Sequence, residues 1–257
     1  MLVAMRWLVV LGLVTGCGSD AATPDAEHYS GSGSIVVRSY ASEPGTGAGT
    51  AAQAMFIARE DCSTVQVGPC SVRGCEPDWL GLAVSAGTLT IDSDPPFSLY
   101  QSVEQSSTFY SAYGNVVAFG AGDTRSLTAS GAAVPAFSAT FVVPAAAVIT
   151  SPPSDSPVTV GTEDLRVAWT GGSSFVDVVL QKTLAQARCR FAASDGTATI
   201  PNTVLLQFHE PGARFLIVTS TDVTSSVPDW SVTTTASIDA TWPDGAAAIG
   251  TLAFPPL

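Results

Sequence analysis

The sequence is poor in charge, and poorest in positive charge. Charged residues make up 12% of its 257 positions, about half the share usual in a cytosolic globule. Ten residues are basic, Lys182 being the sole lysine, against 22 acidic ones, for a net charge of −12. So acidic a surface repels phosphate backbones and anionic headgroups, which argues against nucleic-acid partners and polybasic membrane docking. Histidine is almost absent, with only His28 and His209, so a two-histidine metal centre is excluded from the folded part. The cysteines contain no C-x₂-C pair, the spacing a zinc site wants. There is no G-x-S-x-G nucleophile elbow, and Gly45-x-Gly47-x-Gly49 lacks the closing Lys-Ser/Thr of a phosphate loop. No run reaches 18 apolar residues, which excludes a membrane-spanning helix. No cofactor, no metal and no catalytic residue are expected.

What is present begins with targeting. Arg6 precedes the apolar run Trp7–Val14, too short to span a bilayer but the right length for the core of an export signal over residues 1–16. Val14-Thr15-Gly16-Cys17 resembles the lipobox of bacterial lipoproteins. In that family the cysteine thiol takes diacylglycerol, the signal is cut before it, and the new amine is acylated, commonly with palmitate. The resemblance implies lipidation at Cys17 and a membrane contact through the anchor alone. Gly18 stands where inner-membrane retention commonly uses Asp, so the implied location is the outer membrane, with either face open. Residues 17–33 are polar and without periodicity, which predicts a flexible tether carrying His28 and Tyr29 in solvent.

With Cys17 lipidated, Cys62, Cys70, Cys75 and Cys189 remain, in an exported chain where disulfides persist. Every full pairing of the four joins Cys189 to the early cluster. The turn Cys70-Ser-Val-Arg-Gly-Cys75 favours closure on itself, leaving Cys62 for Cys189; the other pairings stay open.

The body of the chain reads as all-β. Short apolar runs alternate with Gly, Pro, Ser and Asp every 8–12 residues. Leu165, Val167 and Trp169 share a strand face, as do Val176, Val178 and Leu180, with Asp177 turned outward. Gly196–Ile200 reads as a returning hairpin arm. Pro201–Phe208 is the one stretch with helical spacing, opened by proline at a tolerated position. The Pro/Ser-rich segment 150–157 marks a boundary, predicting two packed β domains over 34–145 and 146–257. The run DLRVAWTGG … ARCRFAASDGTATIP resembles the C-terminal module of uncharacterised bacterial surface lipoproteins. That implies an immunoglobulin- or fibronectin-like β-sandwich, without activity, and departs from true immunoglobulin domains in having no cysteine pair around Trp169.

Candidate chemistry is sparse. The aromatic segment Tyr100, Phe109, Tyr110, Tyr113, Phe119 is the best candidate for a ligand face, because aromatic rings give large contact area at low entropy cost. Tyr100, Tyr110 and Tyr113 are its proposed members, against core packing as the competing role. Asp92-Ser-Asp94 has too few spaced oxygens for calcium and reads as turn chemistry. His209 precedes Pro-Gly and reads as a turn residue. The expected function is a lipid-anchored envelope module contacting protein or glycan. The rivals are a hydrolase using carboxylates such as Asp92 or Glu104, and a passive surface spacer.

Overall fold

The structure, a computed structural model, describes residues 29–40, 48–59, 63–74, 82–104, 107–114, 119–154, 157–182, 185–210 and 212–254. Cys17, His28, Cys62, Cys75 and the Glu104 side chain lie outside what it describes.

The first half forms ten strands: β1 (Gly31–Tyr40), β2 (Gly49–Arg59), β3 (Ser63–Val67), β4 (Cys70–Gly74), β5 (Leu82–Ala83), β6 (Leu89–Ile91), β7 (Phe97–Glu104), β8 (Ser107–Gly114), β9 (Thr124–Ala129) and β10 (Phe137–Val142). The second adds β11 (Ala147–Ser151), β12 (Val158–Thr159), β13 (Leu165–Gly171), β14 (Phe175–Lys182), β15 (Ala185–Ala192), β16 (Thr197–Ile200), β17 (Arg214–Val227), β18 (Trp230–Asp239) and β19 (Ile249–Ala253). The expected helical stretch is one turn, α1 (Asn202–Leu205), continued as a 3-10 turn through Phe208. It exists because Val204, Leu205 and Phe208 bury one face together. The architecture is all-β and sandwich-like.

A single large sheet runs β10-β9-β6-β7-β8-β2-β1-β18-β17-β14-β15-β4-β3, and a small one runs β11-β13-β16. The long β17–β18 hairpin turns at Pro228-Asp229, where Asp229 takes φ 61, a conformation that Asp tolerates better than most residues. β18 then pairs parallel with β1, Gly31 opposite Trp230 through Ser39 opposite Ile238. That pairing joins strands from the two ends of the chain.

Two hydrophobic cores lie on the same face of the large sheet. On β17, Phe215 and Ile217 enter one core while Val223 and Val227 pack on the other. The first core holds Phe56 with its edge contacts to Tyr110 and Phe137, both at 6.0 Å. The second surrounds Trp169, whose indole N–H donates to the Ala193 carbonyl at 2.8 Å. The division at 145/146 is crossed twice. Cys70 and Val72 of β4 belong to the second core, and Trp230, Val232 and Ala236 of β18 belong to the first.

Several local expectations change. Cys189 is bonded to Cys70, not Cys62. The two cysteines are directly opposite on β15 and β4, so strand pairing, not the turn to Cys75, decides the partner. β16 pairs with β13 in the small sheet and not with β15; the 3-10 turn Ala193–Asp195 and Gly196 at φ 67 redirect the chain across the sandwich. Tyr29 is not solvated: it packs on the first core, and its carbonyl accepts the Trp230 indole N–H at 2.9 Å.

Candidate functional site

The opposite face of the large sheet carries the candidate site. Because side chains alternate along a strand, the residues between the core positions all point to this side. On β1 these are Val36 and Arg38; on β2, Ala51 and Gln53; on β8, Tyr113. β18 adds Thr235 and Ser237, β17 Leu216 and Val218, β14 Asp177 and Gln181, β15 Gln186 and Arg188. Together they line one cavity of about 510 Å³. β8 and β15 stand six strand spacings apart in the sheet order, which a flat sheet would stretch to roughly 30 Å. Tyr113 and Gln186 border one cavity only because the sheet is bent into a trough, with both cores on the outside of the bend. A second cavity of about 670 Å³ continues from it, sharing Val36, Gln53 and Tyr113, and reaches Ser32, Phe109 and, from β4, Arg73.

Asp177 lies at the centre of an ion network in this trough. It interrupts the apolar run Val176–Leu180 and its side chain is fully buried. An isolated carboxylate there would be costly, but it has several donors. The Arg188 guanidinium donates to it at 2.8 Å through Nε, Arg190 at 2.9 Å through Nε, and the Ser220 hydroxyl also donates. Arg190 also donates to Asp222, which accepts from the Thr235 hydroxyl at 2.8 Å. The guanidinium of Arg190 lies 4.6 Å over the Phe175 ring, a cation–π contact that adds to its placement. A second pair closes the other side: Arg38 grips the buried Asp239 carboxylate with two bonds, 2.6 and 2.9 Å.

Burial of Asp222 works to raise its pKa, but the bonds from Arg190 and Thr235 outweigh it and hold the carboxyl below its ordinary range. For Arg190, burial disfavours the charge, yet the bonds to Asp177 and Asp222 keep its pKa above the usual arginine value. A depressed folded-state pKa means that Asp222 stabilises the fold at neutral pH. That stabilisation is complete above the ordinary carboxylate value of about 3.9 and is lost as pH falls through the lower folded value. The stability gap between wild type and Asp222→Asn should therefore be constant from pH 7 to about 5 and shrink below pH 4. A gap that persists unchanged to the acid limit would contradict the ionic origin.

The expected ligand tyrosines separate. Tyr113 is 68% exposed in the trough, its phenolic oxygen accepting from the Gln53 amide at 2.9 Å. Tyr100 is 78% exposed and stands opposite Ser111, so it shares that face. Tyr110 borders the second cavity, but its ring occupies the other face. It is buried in the first core, accepts the Ala86 N–H at 2.9 Å and donates to the Gly87 carbonyl at 2.9 Å. It is a core residue, corrected by the one-residue alternation that separates it from Ser111. Asp92 lies outside the trough, capping the Ser126 N–H at 2.6 Å. His209 is exposed, its ring edge-on to Phe254 at 4.6 Å. Among the described residues no cluster of His, Cys, Asp or Glu is arranged to hold a metal, and no helix is long and apolar enough to cross a membrane.

The ion network was missed as a site from sequence. Asp177 reads as an outward strand residue, and it does leave the core side, but into a buried layer. Its signal was present: one carboxylate inside Phe-Val-Asp-Val-Val-Leu, and two arginines flanking Cys189, in a chain with only ten basic residues. Compared with family models, with curated proteins and with solved structures, the chain matches none of them.

Proposed function

We propose that this chain is a lipid-anchored module of the bacterial cell envelope that binds its partner in the trough. The observation that carries the reading is the trough itself, two confluent cavities each within the size range of ligand sites, about 300–1,000 Å³. Its placing of exposed Tyr113 beside buried charge is how binding sites combine contact area with orientation. The anchor rests on the lipobox resemblance at Val14–Cys17. From Cys17 to Tyr29 is twelve residues, so the fold can stand at most about 40 Å from its lipid. The described chain begins just before β1, whose Ser32 lines the second cavity.

A carboxylate hydrolase is less well supported. A catalytic acid needs a raised pKa, whereas Asp222 is lowered and both Asp177 and Asp222 are engaged by arginines. A passive spacer gives no reason for charges to be buried around a concave face.

Two measurements test the proposal. Cys17→Ser should move the protein from the detergent to the aqueous phase; unchanged partitioning would remove the anchor. A photo-crosslinker placed at Tyr113 in intact cells should capture one dominant protein or glycan, identified by mass spectrometry. Capture from exposed positions outside the trough, such as Leu206, with none from Tyr113, would remove the trough from the function.

A further inference from the structure

Resting on that reading, we infer that the ligand of the trough is a neutral glycan chain, read by side chains alone. The first reason is the backbone. β2, β1, β18, β17 and β14, which make the middle of the trough, are each paired on both sides, so their N–H and C=O groups are committed to the sheet. An extended peptide cannot add itself there as a strand, the commonest way a β-protein reads peptide main chain.

The second reason is charge. Around the first cavity, Arg38 is held by Asp239, and Arg188 and Arg190 by Asp177 and Asp222. An anionic ligand would have to compete with these carboxylates for their guanidinium groups, and a cationic one the reverse. An uncharged ligand leaves every pair intact.

The third reason is the pattern of surfaces. Tyr113 and Tyr100 are diagonal neighbours on paired strands, giving a platform about two sugar rings wide, with side chains roughly 7 Å apart. Gln53 fixes the Tyr113 phenol, so the ring is oriented although exposed. Across a floor where the apolar Val36 and Leu216 alternate with the paired charges stand the amides of Gln181 and Gln186. A pyranose ring has an apolar C–H face and a rim of hydroxyl groups that both donate and accept. The aromatic wall and the apolar floor residues match the first, and the amides, which also donate and accept, match the second.

The test is calorimetric titration of the full chain in a detergent without a sugar headgroup. Cellohexaose, maltohexaose and chitohexaose are the neutral probes, with hexagalacturonate as the anionic comparator. At least one neutral probe should bind with Kd below about 1 mM, and Tyr113→Ala should weaken it about tenfold or more. Since Tyr113 is largely exposed, this variant should retain its fold, checked by its thermal midpoint. Gln186→Ala should weaken the same probe without changing that midpoint. Binding by none of the three, preference for hexagalacturonate, or indifference to Tyr113→Ala each overturns the glycan inference. If Tyr113 crosslinks to a protein in cells while no glycan binds, the ligand class is wrong and the trough still binds. If Tyr113 captures nothing while positions outside the trough do, the binding reading itself fails.

Discussion

Replacing Cys70 and Cys189 together by alanine should lower the unfolding free energy by about 4–5 kcal/mol. The bond closes a sequence separation of 119, and in the chain-entropy description the denatured state gains freedom as the logarithm of that length. For a chain of this size the loss corresponds to a fall of roughly 10–15 °C in thermal midpoint. Both cysteines are buried in the second core, so small unfilled volume adds to the effect. Chemical denaturation with and without reductant is the measurement, with non-reducing peptide mapping to identify the linked pair. A loss under about 1 kcal/mol would mean that the β4–β15 ladder alone holds the β3–β4 hairpin in place. The distinction bears on function, because β4 carries Arg73 to the second cavity.

Asp177→Ala should be the most damaging substitution in the trough, at about 2–4 kcal/mol. Removing one partner of a buried ion pair typically costs about 3–5 kcal/mol, because the remaining charge is stranded. The lower figure applies here because Arg188 and Arg190 are 34% and 28% exposed and can turn toward water, and Asp222 still holds Arg190. Asp177→Asn, which keeps a hydrogen-bond acceptor without the charge, should lose less. Adding Arg188→Met to Asp177→Val should recover part of the loss, since an apolar replacement of both partners is often close to neutral. Urea denaturation of the three variants checks the order. If Asp177→Ala is as stable as wild type, the network is a surface feature and not the organiser of the trough floor.

Much of the fold was legible residue by residue. Period-two alternation at Leu165, Val167 and Trp169 put two of the three fully into the second core. The short helix at 202–205 followed from Val204, Leu205 and Phe208 recurring at helical spacing after Pro201. Cys189 does join the early cluster. Which early cysteine it joins was not legible, because the choice depends on β4 lying opposite β15. The ligand-face tyrosines were legible as a group and not individually. Tyr110 and Tyr113 differ by three positions, an odd number, so a strand must send them to opposite faces; their burial then depends on what each face meets.

What is local can be read along the chain: strands, turns, one helical turn, and the faces that alternating side chains can form. Hydrophobic period and turn chemistry act over a few residues, and so they are written in a few residues. Tertiary structure decided which strands became neighbours. β1 and β18 pair in parallel, and Arg38 meets Asp239 across 201 positions. Nothing near either residue specifies the other, since any unpaired strand presents the same backbone groups. The trough exists only once that pairing and the two cores bend one sheet between them. Asp177, Arg188, Arg190 and Asp222 therefore became a site through the topology, although Asp177 stands in the sequence as a lone charge in an apolar strand.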